Sequence, residues 1–241
     1  MLIPTGHNVS ALTLSPIGTE ALDDPATDPV LVARMLRDIT RSNWWLGGIA
    51  AVRFGLAQLL RPSDRGSTLT LFDVGTGAGD LPLDAQRWAR RRGVTLVPLG
   101  LERIVTAAHM AQSAGVPVML GCAGALPVGA KSVDFVLLSQ VAHHLDGESA
   151  TQLFANASRI ARRGVVVADL RPALLAATGF RVAGVLLRLH RGTVVDGVTS
   201  LRRGFAPAAL RQLCLRAGAT NVRVVRRPGA RIVAWWRTDG S

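Results

Sequence analysis

The chain has 241 residues, 49% of them hydrophobic, which suits one sizeable α/β domain with a short appendage. Its two cysteines, Cys122 and Cys214, are far apart and lack CxxC spacing, which excludes a disulfide framework and a cysteine-based zinc site; no metal is expected, and with no membrane span or signal peptide in the pattern a cytoplasmic location is the default. The net charge of +12 is uneven, with 12 Lys+Arg against 13 Asp+Glu in residues 1–150 and 16 Arg against 3 acids in residues 151–241, so the C-terminal half favours an anionic or acidic partner.

Residues 1–22 show no periodicity and read as an irregular tail. Asp28-Pro29 reads as an N-cap followed by proline at the first helical position. Val30, Met35, Leu36 and Ile39 then recur at helical spacing, predicting a helix to about Thr40. Gly47-Gly48 separates a second helical piece, Ile49 to Leu60, from the first, and residues 61–66 are a loop by their breakers. These boundaries give a helical segment over 23–66 and a main domain over 67–241. From Leu69 the pattern alternates: strand to Val74, helix Pro82–Arg92, strand Val94–Leu101, helix Ile104–Ala114, strand Val116–Leu120, strand Val133–Ser139, helix Glu148–Arg162 stopped by Gly164, strand Val165–Leu170. Such βαβ repetition predicts a parallel sheet with helices on both faces. Ala208–Ala217 reads as a helix, and Asn221–Arg226 and Ile232–Trp236 as a strand pair across Pro228-Gly229, which adds an antiparallel edge.

The glycine-rich run from Asp73 to Asp80 follows a strand and opens a helix, where backbone amides face a ligand. A dinucleotide fingerprint needs glycine at the sixth position, and here Asp80 stands there. With Asp73 close by, that carboxylate repels a pyrophosphate but suits S-adenosyl-L-methionine, whose ammonium and sulfonium are positive. Glu102 ends the next strand, 23 residues past Gly79, where an acid accepts hydrogen bonds from ribose hydroxyls or caps the following helix.

Asp73-Val74-Gly75-Thr76-Gly77-Ala78-Gly79 resembles motif I of class I S-adenosylmethionine-dependent methyltransferases, and Leu101-Glu102 their post-I motif. Leu126-Pro127, Ser132–Val136 and Val141-Ala142-His143-His144-Leu145 are similar to the loop and fourth strand of the small-molecule branch, which includes ubiquinone and menaquinone methyltransferases. The resemblance spans residues 69–170 in order. It implies a Rossmann-like, doubly wound, seven-stranded sheet, S-adenosyl-L-methionine as cofactor, and a helical lid over 23–66. Gly75, Thr76, Gly77 and Gly79 would approach the methionine moiety, Asp73 and Asp80 its ammonium, and Glu102 with Arg103 the ribose. Cys122 and Ala123 would border the adenine, and Ser139 and Gln140 both cofactor and acceptor. Cys122 stands where relatives often carry an adenine-binding aspartate; a lost bond there costs about 1–3 kcal/mol if the donor is buried.

Methyl transfer needs alignment first and a base second. His144 and His143, just past the fourth strand, are the candidate bases, against the plainer reading that they cap the following helix; His190 is a weaker candidate. Trp44, Trp45 and the apolar segment Leu174–Leu189 are expected to wall the acceptor pocket, within an insertion over about 171–204, with Arg171, Arg181 or Arg188 meeting an acidic group. The same residues read equally as ordinary core, and the apolar segment as a helix resting on a membrane surface. The expected reaction is O- or C-methylation of a small hydrophobic or aromatic molecule, phenolic, quinone-like or polyketide-like, as in secondary metabolism. The alternatives are RNA methylation by the basic half and a degenerate binding subunit. RNA is disfavoured by the scarcity of aromatics for base stacking and by the absence of an Asn/Asp-Pro-Pro-aromatic motif after the fourth strand.

Overall fold

The computed structural model describes residues 18, 20–24, 26–173 and 175–239; residues 1–17 of the expected tail, and Leu174, lie outside them. Seven strands form one sheet in the order β3-β2-β1-β4-β5-β7-β6. These are β1 (Thr68–Val74), β2 (Thr95–Glu102), β3 (Val118–Leu120), β4 (Val133–Ser139), β5 (Ala161–Leu170), β6 (Arg223–Arg227) and β7 (Arg231–Arg237). Strands β1 to β5 pair in parallel, and β7 pairs antiparallel with both β5 and β6. This is the expected Rossmann-like methyltransferase architecture with its C-terminal hairpin.

The middles of the central strands, Leu71-Phe72, Phe135–Leu138 and Val165–Ala168, are apolar at consecutive positions because both faces are covered. On one face Phe72, Val74, Val136, Leu138, Val165, Val167 and Trp236 pack against α5 (Gly147–Ile160) and α8 (Pro207–Arg216). Alternate residues Leu69, Leu71, Phe135, Leu137, Val166 and Val233 face the other way, onto α2 (Gly48–Leu59) and α3 (Asp80–Arg90). Helix α4 (Val105–Ala114) packs against α1 (Pro29–Trp45) through Val32, Leu36 and Ala107. Among the described residues no helix is long and apolar enough to cross a membrane.

Several boundaries differ from expectation for physical reasons. α1 continues to Trp45, capped by the Asp28 side chain with Pro29 in its first turn. Only α1 lies over the pocket described below; α2 is a core layer, with Val52, Leu56 and Leu59 buried against the sheet. β5 begins at Ala161 rather than after Gly164, because its first residues already pair with β4 across a register shift. Gly164 therefore sits inside the strand, where a Cβ would lie 2.7 Å from the Trp236 carbonyl oxygen. After β5 the chain forms α6 (Ala176–Leu186) and α7 (Arg191–Arg203); α6 buries only Gly184. Glu20–Asp23 is also ordered, as a short turn docked beside α7 through Glu20–Ser200 and Ala21–Asp196 hydrogen bonds.

The α2–sheet contact depends on one small residue. A Cβ on Gly55 would come within 2.4 Å of Val166 Cγ1. Gly55→Val is expected to lower stability by about 1–3 kcal/mol in urea unfolding.

Candidate active site

Strand order reverses between β1 and β4, since β1 leads to β2 on one side while β4 and β5 lie on the other. Ligands of open α/β sheets bind at the carboxyl ends beside such a switch point. Here those ends open into a cavity of about 850 Å³. Its walls are the glycine turn, the ends of β2, β4 and β5, α1 from above, and α6 with α7 on the far side.

The glycine turn is held open by backbone and carboxylate bonds. Gly75 and Thr76 donate their amides to Leu101 O, at 2.8 and 3.1 Å. Gly75 and Gly77 have φ of +73° and +57°, left-handed values that favour glycine. A Cβ on Gly75 would also lie 2.5 Å from Val141 Cγ2, whereas one on Gly77 meets nothing closer than Leu36 Cδ2 at 3.8 Å and opens on the cavity. Glu102 accepts from the Gly77 amide at 2.9 Å and, through its other oxygen, from the amides of Arg103 and Ile104. It thereby ties the turn to the start of α4 while lining the cavity.

Two acids of the motif are separated by burial. Asp73 is almost fully buried beneath the turn, accepts from Thr76 Oγ1 at 2.9 Å, and leaves Oδ1 without a partner among the described residues. Burial pushes its carboxyl up to about 8 against the Thr76 hydrogen bond, with Asp80 and Glu102 adding repulsion. Asp80 lines the cavity and accepts from Asn43 Nδ2, while Asn43 Oδ1 accepts from Gln140 Nε2, so α1 is stitched across the turn to the end of β4. Burial raises Asp80 as well.

Beyond β4 the chain makes a short turn, Ala142–His144, that presents both histidines. His143 is 2% exposed, and its Nδ1 lies 2.6 Å from Asp169 Oδ1, at the end of β5. A carboxylate in that position fixes the proton on Nδ1, so Nε2 carries a lone pair. Nε2 is buried at the cavity with no partner among the described residues. Burial alone would raise Asp169; the facing His143 outweighs it and holds the carboxyl below its ordinary value. The His144 ring lies 4.2 Å from that of His143, with Nδ1 3.1 Å from Asp23 Oδ1. Arg203 Nη1 donates to Glu20 Oε1 and Asp23 Oδ2, and Nη2 to Gly18 O. Burial pushes Asp23 upward, but His144 and Arg203 overcome it and keep it low; Glu20, more deeply buried, ends up raised.

The cavity brings together Gly75, Thr76, Gly77, Asp80, Glu102, Arg103, Cys122, Ala123, Ser139, Gln140, His143, His144 and Arg171. It does not bring in Asp73, which lies under the turn, or Gly79, which packs against Ala111 and Val116. The expected pocket roles of Trp44, Trp45 and Arg181 are corrected: the tryptophans are 61% and 75% exposed, and Arg181 points to solvent from α6, as does Arg188 after it. The inward stripe of α1 runs through Val32, Met35, Leu36, Ile39, Ser42, Asn43 and Leu46, which turns positions 44 and 45 away. His190 is taken up in capping α7, its Nδ1 accepting from Gly192 N. Sequence ranking placed His144 ahead of His143; the structure gives the unshared nitrogen to His143. Glu20, Asp23, Asn43, Asp169, Arg203 and Arg231 were missed. The signal for Asp169 was an acid inside the otherwise apolar strand Val165–Leu170.

The folded protein holds the Asp73 proton from the ordinary carboxylate range up to about pH 8, while the unfolded chain ionises near pH 4, so this group removes stability progressively as pH rises through that window. Asp73→Asn keeps an acceptor for Thr76 and lacks that dependence. In cofactor-free protein its melting temperature is expected to match the wild type near pH 4 and to exceed it near pH 8; a lower value at both would refute the assignment.

Residues 72–168 match the family model described as a methyltransferase domain. No curated protein matches the chain in sequence. Among solved structures, an S-adenosylmethionine-dependent methyltransferase from Aquifex aeolicus aligns with a TM-score of 0.60 at 16% identity, covering 88% of this chain and 98% of its own. Magnesium protoporphyrin IX methyltransferase from Synechocystis, with bound S-adenosylhomocysteine, aligns at 0.54 and 17% identity over 79% and 83%. An O-methyltransferase family 2 protein from Planctomyces limnophilus, in complex with apigenin, aligns at 0.60 and 18% identity over 88% and 62%. Residues 72–168 therefore carry a methyltransferase domain, set within a seven-stranded sheet of the Rossmann-like methyltransferase fold.

Proposed function

We propose that the protein transfers the methyl group of S-adenosyl-L-methionine to an oxygen or carbon of a small hydrophobic, aromatic molecule, phenolic, quinone-like or polyketide-like. The observation that carries this reading is one continuous cavity, with the glycine turn at one end and an apolar compartment under α6 and α7 at the other. Leu175, Ala176, Phe180 and Leu201 supply the apolar wall, and its size suits a cofactor with a compact acceptor. The likeness to proteins named for small-molecule acceptors supports the same reading.

At the cofactor end, Gly75 and Gly77 leave room for the methionine moiety, Asp80 faces its ammonium, and Glu102 exchanges its amide bond with Gly77 for the ribose hydroxyls. Ala123 borders the adenine with Cys122, whose thiol accepts from the Gly124 amide and offers the adenine only a weak acceptor. At the acceptor end, Arg171 and Arg231 line the cavity, and Arg171 Nε is buried without a partner among the described residues. They meet an acidic oxygen of the acceptor. The lone pair on His143 Nε2 is the basic atom at which the acceptor is activated, and Asp169 positions the ring.

Calorimetric titration of S-adenosylhomocysteine into the wild type and Gly77→Arg tests the cofactor end: binding is expected in the first and lost in the second. No binding by the wild type would favour a degenerate scaffold. Cys122→Asp is expected to tighten that binding about tenfold, since a hydrogen bond to a charged group contributes about 1.5–3 kcal/mol. A panel of phenols and hydroxyquinones, read by mass spectrometry for one added methyl group, tests the acceptor end. With an accepted substrate, His143→Asn, which preserves the bond to Asp169, is expected to lower kcat about 10²–10⁴-fold and leave cofactor affinity unchanged. Salt-sensitive binding and methylation of RNA, with the panel inert, would overturn the small-molecule reading.

A further inference from the structure

Glu20, His143 and His144 come from segments more than 120 residues apart, yet each offers a ligand atom within 4.8 Å of the other two. We propose that these three side chains bind one divalent transition-metal ion at the acceptor end of the cavity, through Nε2 of both histidines and an oxygen of Glu20. The inference deepens the proposed function and rests on that reading for the acceptor; the metal site itself stands on its own geometry.

Three observations support it. The first is the orphaned Nε2 of His143, buried and facing the cavity. The second is the surroundings of the rings. Histidines that bind metals donate their other N–H to a carboxylate, which fixes the tautomer and raises ligand basicity. His143 has that carboxylate in Asp169 at 2.6 Å; His144 Nδ1 faces Asp23 at 3.1 Å and also Arg203 Nη1 at 3.2 Å, so its tautomer is set between the two and ion binding selects the form with the proton toward Asp23. The third is the state of Glu20. Ser200 and Arg203 occupy its Oε1, and its Oε2 lies 3.9 Å from His144 Nε2, so a contraction of about an ångström brings the pair to the spacing of neighbouring ligands on a shared ion. The nearby cation, Arg203, is already matched by Glu20 and Asp23, and Asp169 adds a further negative charge beneath the rings.

Two imidazoles and one carboxylate suit zinc, iron(II), cobalt(II) or manganese(II) and leave coordination positions open. With the ion on its Nε2, His143 acts through the metal in place of serving as the base itself: an acceptor hydroxyl bound there becomes acidic, because the ion stabilises the oxyanion. Its proton leaves to water, the oxygen attacks the methyl carbon, and the carbon–sulfur bond breaks to release S-adenosylhomocysteine. The substrate class narrows to molecules with an ionisable hydroxyl, and the reaction to O-methylation.

The test uses tag-free full-length protein stripped with a chelator, then titrated with Zn²⁺ by calorimetry and with Co²⁺ by visible absorption. One ion per chain is expected, with Co²⁺ ligand-field bands. His143→Asn and Glu20→Gln should each weaken Zn²⁺ binding at least tenfold, and Asp169→Asn roughly 10–100-fold, whereas Cys122→Ser should not. Absence of binding, or binding equally strong in both ligand variants, would overturn the site. S-adenosylhomocysteine titrations of the same samples separate the two readings. Cofactor binding without metal binding defeats only the metal site, and metal binding without cofactor binding defeats only the methyl-transfer reading.

Discussion

The chain departs in opposite directions from the carboxyl ends of β1 and β4, and the site depends on that divergence. Side by side, the two strands send their connections apart and leave a crevice that no sheet hydrogen bond can close. Into it open the Gly75–Ala78 turn from β1, Glu102 from β2, the Gln140–His144 turn from β4 and Leu170 with Arg171 at the end of β5, while Asp169 holds His143 from behind. Each sits there because its strand ends there, and the strands are registered by the burial of alternate residues on two separate cores. A register slip of one residue would exchange those faces and withdraw the site residues together.

The crevice concentrates acids in low-dielectric surroundings, and each is handled differently. Glu102 spends its charge on three backbone amides. Asp169 is set against His143, and Asp23 against His144 and Arg203. Asp73 has one hydroxyl donor and is pushed up to about 8, which makes it the electrostatically unresolved member of the group. Holding the proton avoids the cost of a buried charge, and a cationic ligand above the turn favours the ionised form.

The arginine excess of the C-terminal half is partly structural. Arg163 pairs with Asp64, Arg203 with Glu20 and Asp23, Arg231 donates to Leu46 O, and Arg237 donates to Leu59 O. These guanidiniums fasten the N-terminal segment, α1 and α2 to the sheet and to α7. The charge that suggested an anionic partner therefore serves in part to hold the two ends of the chain together. By contrast α6, with Val182, Val185 and Leu186 exposed, contributes one face to the cavity and leaves the other in solvent.

Local pattern was enough for the alternation of strands and helices, the antiparallel end of the sheet and the glycine turn, because periodicity and left-handed glycines act between near neighbours. The cofactor preference was equally local: Asp80 in place of a glycine, with Asp73 nearby, disfavours a pyrophosphate. Tertiary structure alone decided which side chains face the cavity. Trp44 and Trp45 were aromatic and lay within the expected lid, yet the phase of α1 turns them outward. Asp73 belongs to the motif but lies beneath it. Glu20 and Asp23, in a segment without periodicity, reach His144 through contacts spanning more than 120 residues, and Asp169 meets His143 because β4 and β5 are neighbours in the sheet. Such pairings follow from where the strands end and how far the chain must return to satisfy buried charges, and neither is written in any local stretch of residues.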